Sequence, residues 1–334
     1  MPRLCVYNVE WFENLFQNNT NDLSNTQDDR DRINALGQVL TTIDADLVGI
    51  AEAPNTSANG AEDTVQRLQN FAADRNLRTT DALTGFISQG QQEIAILFDP
   101  NVLAVVHDPG GVAGDVRGNP PFDEVFHYDA DDDRVLEVYE HYRPPLEAHV
   151  TVNATGNDFW VIVVHAKSKG IFSSVDFAHF EQESRRNRHK LYGECTWIRR
   201  RVNEWLDAGR EVVVMGDIND GPGMDYYEFQ FGKSAVEAIM GDLFAPDRIL
   251  RNYMGRPRWG NFGWEPSTAR FTDRLTEDPV NVVIDHIMAS PGLALQGNEP
   301  HLIWNPFAGA NHTNAIDAEL RAASDHFPVS LDLA

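Results

Sequence analysis

The sequence predicts a layered α/β fold, and three observations carry the prediction. Short apolar runs rich in β-branched residues recur along the 334 residues and end in polar loops. Longer amphipathic segments lie between them, so helices and strands alternate through the chain rather than segregating. The composition is that of an ordinary globular protein: 42% hydrophobic and 23% charged residues, with 24 Gly and 17 Pro, exclude disordered and fibrous classes.

The elements follow in order. A strand is expected at residues 3–7, then an amphipathic helix over 30–43 and a second strand at 47–51. A helix over 62–75 precedes the buried run Glu-Ile-Ala-Ile-Leu-Phe at 93–98, which reads as a strand. Residues 107–142 carry Gly110-Gly111, Gly118, Pro120-Pro121 and the acidic stretch from Asp129 to Asp133, and are expected to be an insertion loop. Strands at 149–152 and 160–165, a helix over 185–207, and strands at 211–215, 282–288 and 329–333 complete the set. No second independent strand set begins at the 107–142 segment, and there is no internal repeat. The expectation is one domain over 1–334 with insertion loops near 107–142, 171–185 and 220–281.

Charge and cysteine content narrow the function. The chain has 51 acidic and 27 basic residues, a net charge of −24, which argues against a protein that coats DNA. It does not argue against an enzyme that meets nucleic acid in a local basic or metal-filled cleft. Two cysteines, Cys5 and Cys195, are too few for a disulfide framework or a zinc site and read as structural thiols. No apolar run approaches the roughly 18 residues of a membrane span. Because residues 3–7 read as a strand, the start of the chain leaves no room for a signal peptide. The expected location is the cytoplasm, or outside it if a signal was removed, and the expected state is a monomer.

Nearly every predicted strand ends in a residue suited to phosphate or metal chemistry. Asn8 and Glu10 follow the first strand, Glu52 the second, and His165 ends the run Val161-Ile162-Val163-Val164. Asp217 and Asn219 follow Val212-Val213-Val214-Met215-Gly216, and Asp325-His326 precede the last strand. Taken singly, Asp217-Ile218-Asn219-Asp220-Gly221 is a solvated turn, Glu52 a helix cap and His165 a core histidine. Their joint recurrence at strand ends requires another explanation.

These residues resemble the endonuclease/exonuclease/phosphatase superfamily, the DNase I-like metal-dependent phosphoesterases. The marks run in family order through Tyr7-Asn8-Val9-Glu10, Ile50-Ala51-Glu52, His165-Ala166-Lys167-Ser168-Lys169, Gly216-Asp217-Ile218-Asn219, Ile284-Asp285-His286-Ile287 and Ser324-Asp325-His326-Phe327-Pro328. Glu93 with the strand after it, and Arg143-Pro144-Pro145, resemble the DNase I branch. Ala51 departs from the Gln usual before the metal-binding Glu. The resemblance implies a four-layer αββα sandwich, two mixed sheets face to face with helices outside, and a site where strand-end loops meet.

It also implies roles. Glu52 is the principal ligand of Mg2+ or Mn2+, its carboxylate oxygen suiting the hard cation, with Asn8 and Asp325 completing or orienting the shell through oxygen or water. His326 is the general base or the phosphate-facing acid, oriented by Asp285, and His165 forms a second His-carboxylate pair with Glu93. Asp217 orients or deprotonates the attacking water, and Asn219 donates to a nonbridging oxygen. Arg143, with Lys167 or Lys169, contacts phosphate. The implied activity is divalent-metal-dependent hydrolysis of a phosphodiester by in-line attack of water, most directly as an endonuclease or exonuclease on nucleic acid. A phosphatase or phosphodiesterase of a small phosphoester or phospholipid headgroup is the alternative, and a noncatalytic binding module on the same fold a third.

Three other patterns have simpler explanations. Asp129, Asp131, Asp133 and Glu140 resemble a calcium loop, but Arg134 occupies the position where the turn needs Gly, so a solvated acidic loop is expected. Arg185, Arg186, Arg188, Lys190 and Arg199-Arg200-Arg201 either track a nucleic-acid backbone or pair with the many acidic side chains; pairing is expected. Trp259, Phe262 and Trp264 are expected to pack their loop rather than stack on bases.

Overall fold

The computed structural model describes residues 2–171, 176–252, 267–272, 277–293, 295, 301–307, 313 and 315–334. Its strands are β1 (Arg3–Asn8), β2 (Leu47–Ala53), β3 (Asp81–Thr84), β4 (Glu93–Phe98), β5 (Leu103–His107), β6 (Phe126–Tyr128), β7 (Glu137–Tyr139) and β8 (Leu146–Val152). They continue as β9 (Asp158–His165), β10 (Val212–Asp217), β11 (Arg251–Asn252), β12 (Ala269–Thr272), β13 (Pro279–Val282), β14 (Asp285–Ala289), β15 (His301–Ile303) and β16 (Val329–Asp332). The α-helices are α1 (Gln27–Ile43), α2 (Thr64–Arg75), α3 (Phe177–Asp207), α4 (Ala235–Met240) and α5 (Asp317–Ala323).

Two six-stranded mixed sheets form, in the orders β15-β16-β1-β2-β4-β3 and β11-β14-β10-β9-β8-β5. Alternation along each strand decides which face a side chain covers. Leu4 and Val6 of β1 meet Val161, Val163, Val213 and Met215 of the other sheet in the inner core. Cys5 and Tyr7 point the other way, onto α1, α2 and α5. Val212 and Val214 pack outward beneath α3 and α4. The result is the four-layer αββα sandwich, with both sheets buried on both faces as their continuous apolar runs require. Gly49 sits where the sheets approach, and a Cβ there would lie 2.8 Å from Met215 Cε.

Several boundaries differ from expectation. The 171–185 insertion is helical from Phe177 on, because Asp176 caps α3 by accepting from the His179 amide. The 107–142 segment contains the β6–β7 hairpin and covers the sandwich: Phe122 and Phe126 pack on Trp197 of α3. Asp129 closes that hairpin by accepting from the amides of Asp133 and Arg134. The single strand expected at 282–288 is two, β13 and β14, because Thr268 Oγ1 accepts the amides of Ile284 and Asp285 and breaks the run. Cys5 and Cys195 are buried and unbridged. No helix among the described residues is long and apolar enough to cross a membrane.

Candidate active site

Register brings the chemical residues to one end of the sandwich. β1 and β2 run parallel with Asn8 opposite Ala51, which places Glu52 just beyond. In the second sheet Asp217 pairs with His165 on one side and with Asp285 on the other, so three ionisable side chains share a row. His326 joins them before β16, where Ala269 bridges to it. Gly216 permits this arrangement: its φ is +153°, and a Cβ would lie 2.0 Å from the Val164 carbonyl oxygen.

The loops around this row hold unusual backbone. Glu10, Trp11, Glu52, Gln92 and Asn219 all have positive φ, between 44° and 71°. Such conformations persist in non-glycine residues only where their surroundings over-determine them. For Glu52 the cause is visible: β2 changes register between Ile50 and Ala53, turning the carboxylate into the cleft. Its Oε2 accepts from the Trp11 amide at 2.8 Å and from Gln92 Nε2 at 2.6 Å. Gln92 in turn accepts from Arg143 at 2.5 Å, linking the carboxylate to the guanidinium. Oε1 of Glu52 remains near Asn8 Nδ2 at 3.3 Å and His165 Nε2 at 4.0 Å.

The two histidines are in opposite electrostatic states. Burial lowers the basicity of His326, but Asp285 outweighs it: Oδ2 of Asp285 meets Nδ1 of His326 at 2.8 Å, and with Asp217 and Asp325 nearby the imidazole pKa is pushed up to about 10. His165 has no such partner. Burial, with help from the Arg143 and His326 charges, holds its pKa well below the usual value, so it is neutral. Burial and the Asp285 charge raise Asp217 to about 7. Two like side chains driven apart by their surroundings are the physical basis for separate acid and base roles. Oδ2 of Asp217 lies 3.7 Å from Nε2 of His165 and 3.9 Å from Nε2 of His326. Both gaps exceed a hydrogen bond and suit an oxygen atom held between the groups.

The structure alters several expected roles. Glu93 and His165 do not form a pair: Glu93 Oε2 accepts from the Ser88 amide at 2.9 Å, while Glu93 Oε1 and His165 Nδ1 are both buried without hydrogen-bond partners. The carboxylate closes its own β3–β4 loop instead, and its pKa is raised by burial. Asn8 does not present oxygen to Glu52. Its Oδ1 accepts from the Glu10 amide at 3.0 Å, so the nitrogen faces Glu52 and, at 3.0 Å, Asp217. Asn8 therefore donates to both carboxylates, the orienting arm of its expected role. Asn219 donates its amide to Asp217 Oδ1 and one side-chain hydrogen to the Ala166 carbonyl, which ties the β9 and β10 ends together.

Lys169 is occupied by Asp220 and Glu228, whereas Lys167 lines a cavity with Arg143 and His165. The basic stretch on α3 is mostly structural. Arg188 pairs with Asp225, Arg201 with buried Glu147, and Arg199 and Arg200 donate to backbone carbonyls. Trp259, Phe262 and Trp264 lie outside the described residues. Gln92, Thr268 and Ser324 gained no role from sequence. Ser324 accepts from the His326 amide and donates to the Asn8 carbonyl, tying the segment before β16 to the end of the neighbouring β1. Its place beside Asp325-His326 was the one available signal.

The oxygens present suit a hard divalent cation. Asp325 Oδ1 is buried without a hydrogen-bond partner, and the Asp325 pKa is raised to about 6 by burial and by the charges of Glu10 and Glu52. Crowded, partly unpartnered carboxylates are the donor set such a cation takes. Asp217, Asp285 and His326 also bring ligand-type atoms together, with Asp285 Oδ2 already hydrogen-bonded to His326 Nδ1.

No family model matches the chain, and no curated protein matches it. Solved structures do match along the whole chain. The endonuclease/exonuclease/phosphatase from Bacteroides vulgatus superposes with a TM-score of 0.51 at 17% identity, covering 100% of this chain and 98% of that one. Truncated TDP2 from Caenorhabditis elegans gives 0.52 at 10% identity, covering 99% and 97%. TDP2 from D. rerio, complexed with a single-strand DNA product, gives 0.50 at 12%, covering 100% and 98%. At these identities the likeness concerns the fold, and the chain has the DNase I-like endonuclease/exonuclease/phosphatase fold.

Proposed function

We propose that this protein is a divalent-metal-dependent phosphodiester hydrolase that cleaves nucleic-acid strands by in-line attack of an activated water. One observation carries the reading: Asp217 Oδ2 stands between two histidine Nε2 atoms of opposite charge state, at 3.7 and 3.9 Å, at the converging strand ends of both sheets. That spacing suits a tetrahedral phosphoryl group whose oxygens approach each nitrogen.

In this reading Asp217 takes the proton of the attacking water, a task its raised pKa matches near neutral pH. The water oxygen bonds to phosphorus, and the leaving oxygen departs from the opposite face and is protonated by solvent. His326, cationic and fixed by Asp285, donates to a phosphoryl oxygen as charge accumulates there, and neutral His165 donates to another. Arg143 supplies a further charge-assisted donor. Glu52 and Asp325 would hold the cation, Mg2+ or Mn2+, which when bound neutralises phosphoryl charge and polarises oxygen. Asn8, Gln92 and the Trp11 amide orient Glu52 for that role. The fold shared with a protein seen with a single-strand DNA product supports a nucleic-acid substrate.

The test is hydrolysis of supercoiled plasmid DNA and of bis-p-nitrophenyl phosphate side by side, with Mg2+, Mn2+ or EDTA. Nicking abolished by EDTA and by His326→Ala is the expected result. Hydrolysis of the small diester with intact plasmid would move the substrate to a small phosphoester, and unchanged hydrolysis by His326→Ala would overturn the mechanism.

A further inference from the structure

A cavity of about 290 Å3 opens beside the candidate catalytic row, lined by Tyr142, Arg143, His165, Lys167, Lys190 and Glu194. We propose that this cavity holds a second anionic group of the substrate, a terminal phosphomonoester adjacent to the scissile phosphodiester. The inference rests on the phosphodiesterase reading and adds to it a preference for phosphorylated ends.

Position is the first argument. His165 belongs to the catalytic row, Arg143 is linked through Gln92 to Glu52, and both line the cavity wall, so a ligand in the cavity is contiguous with the scissile position. Charge is the second. The chain carries −24, and the catalytic end is crowded with Glu52, Asp217, Asp285 and Asp325, yet this cavity brings together three cationic side chains and one carboxylate. An anion is attracted here and repelled on the neighbouring acidic side.

The third argument is incomplete satisfaction. Arg143 Nε is buried without a hydrogen-bond partner, and no ion pair to Lys167 Nζ is present among the described residues. Burial lowers the pKa of both groups, as expected of cations whose charge is not fully compensated. Glu194 organises them: its Oε2 accepts the Lys167 amide at 2.8 Å, and its Oε1 lies 3.8 Å from Lys190 Nζ. A buried carboxylate beside cations also accepts the P–OH hydrogen of a monoanionic phosphomonoester, a group an internal diester lacks. The volume lies at the lower end of the range for small-ligand pockets, which fits one phosphorylated terminus and excludes a duplex.

Two measurements test this, one of them independent of turnover. Inorganic phosphate is titrated calorimetrically into the full chain in EDTA, where the cation-free acidic row repels it and the cavity is the site observed. Lys190→Ala and, as a near-isosteric second variant, Glu194→Gln are compared with the parent, with circular dichroism to verify folding. Phosphate affinity reduced roughly tenfold by Lys190→Ala is expected, the ratio that about 1.4 kcal/mol of charge-assisted bonding gives. Equal affinity in folded parent and variants overturns the proposal. Separately, pTpT and TpTp are compared with TpT in Mg2+. A higher kcat/KM for one phosphorylated dinucleotide, lost in Lys190→Ala through KM, supports the proposal, and equal values for all three overturn it. Phosphate binding that depends on Lys190 without hydrolysis of any dinucleotide would support the anion site while refuting the phosphodiesterase reading.

Discussion

Replacing Asp285 with Asn separates the electrostatic role of this carboxylate from its steric one. Asp285 lies 1% exposed, and its Oδ2 meets His326 Nδ1 at 2.8 Å. The substitution keeps shape and an acceptor oxygen but removes the charge that opposes burial of the imidazolium. Burial lowers the His326 pKa, so without its strongest counter-charge the imidazole should titrate well below its present value of about 10, with Asp217 and Asp325 still raising it. The folded-state pKa exceeds the unfolded one. The stabilisation is therefore fully present below about pH 6.5 and is lost as pH rises through the folded value. A shift of that size corresponds to a few kcal/mol, the same order as the roughly 3–5 kcal/mol for breaking a buried pair. Part of this is offset, because Asp217 is freed from a neighbouring buried charge that raises its pKa. The net change in stability at pH 7 should then be only about 1–2 kcal/mol, while kcat falls roughly 10²–10³-fold as the cationic hydrogen-bond donor to the phosphoryl oxygen is weakened. Histidine side-chain NMR titration reads the pKa, thermal unfolding the stability, and bis-p-nitrophenyl phosphate hydrolysis the rate. An unchanged His326 midpoint, or kcat within about threefold of the parent, would refute the reasoning.

Gln92→Leu breaks the Glu52–Gln92–Arg143 chain of hydrogen bonds, and should weaken activation by Mn2+ roughly 10–100-fold in a metal titration with little change in melting temperature. Arg201→Ala strands Glu147, both side chains being fully buried, and should cost about 3–5 kcal/mol in urea unfolding. Gly216→Ala places a Cβ against the Val164 carbonyl at a positive φ, and should destabilise by about 2–4 kcal/mol while displacing Asp217, so both melting temperature and activity fall. An alanine variant as stable and active as the parent would show that β10 has room the geometry denies.

The elements legible in sequence were those whose signal is local. Runs such as Val212-Val213-Val214-Met215 announce strands because both faces of a buried sheet are apolar. The short edge strands β3, β5 and β15 were missed because half-buried edges carry too few residues for the pattern to emerge. The start of α3 was missed because its exposed first turns lack apolar periodicity.

At the candidate site, residue type was legible and pairing was not. Sequence alone determined that Asn8, Glu52, His165, Asp217, Asp325 and His326 stand at strand ends, because strand length and the abrupt change to polar residues are written locally, whereas Asp285, expected inside a strand, starts β14 only because Thr268 breaks the run. Which atoms meet was decided by tertiary structure. A bulge turns Glu52 toward Gln92, the Glu10 amide turns the Asn8 oxygen away from Glu52, and the Ser88 amide holds Glu93 while His165 Nδ1 goes without a partner. The charge states were likewise decided by packing. His165 and His326 are chemically identical and both buried, and it is the 2.8 Å contact with Asp285, made across 41 residues of chain and reinforced by Asp217 and Asp325, that makes one a cation, while burial and the Arg143 and His326 charges keep the other neutral.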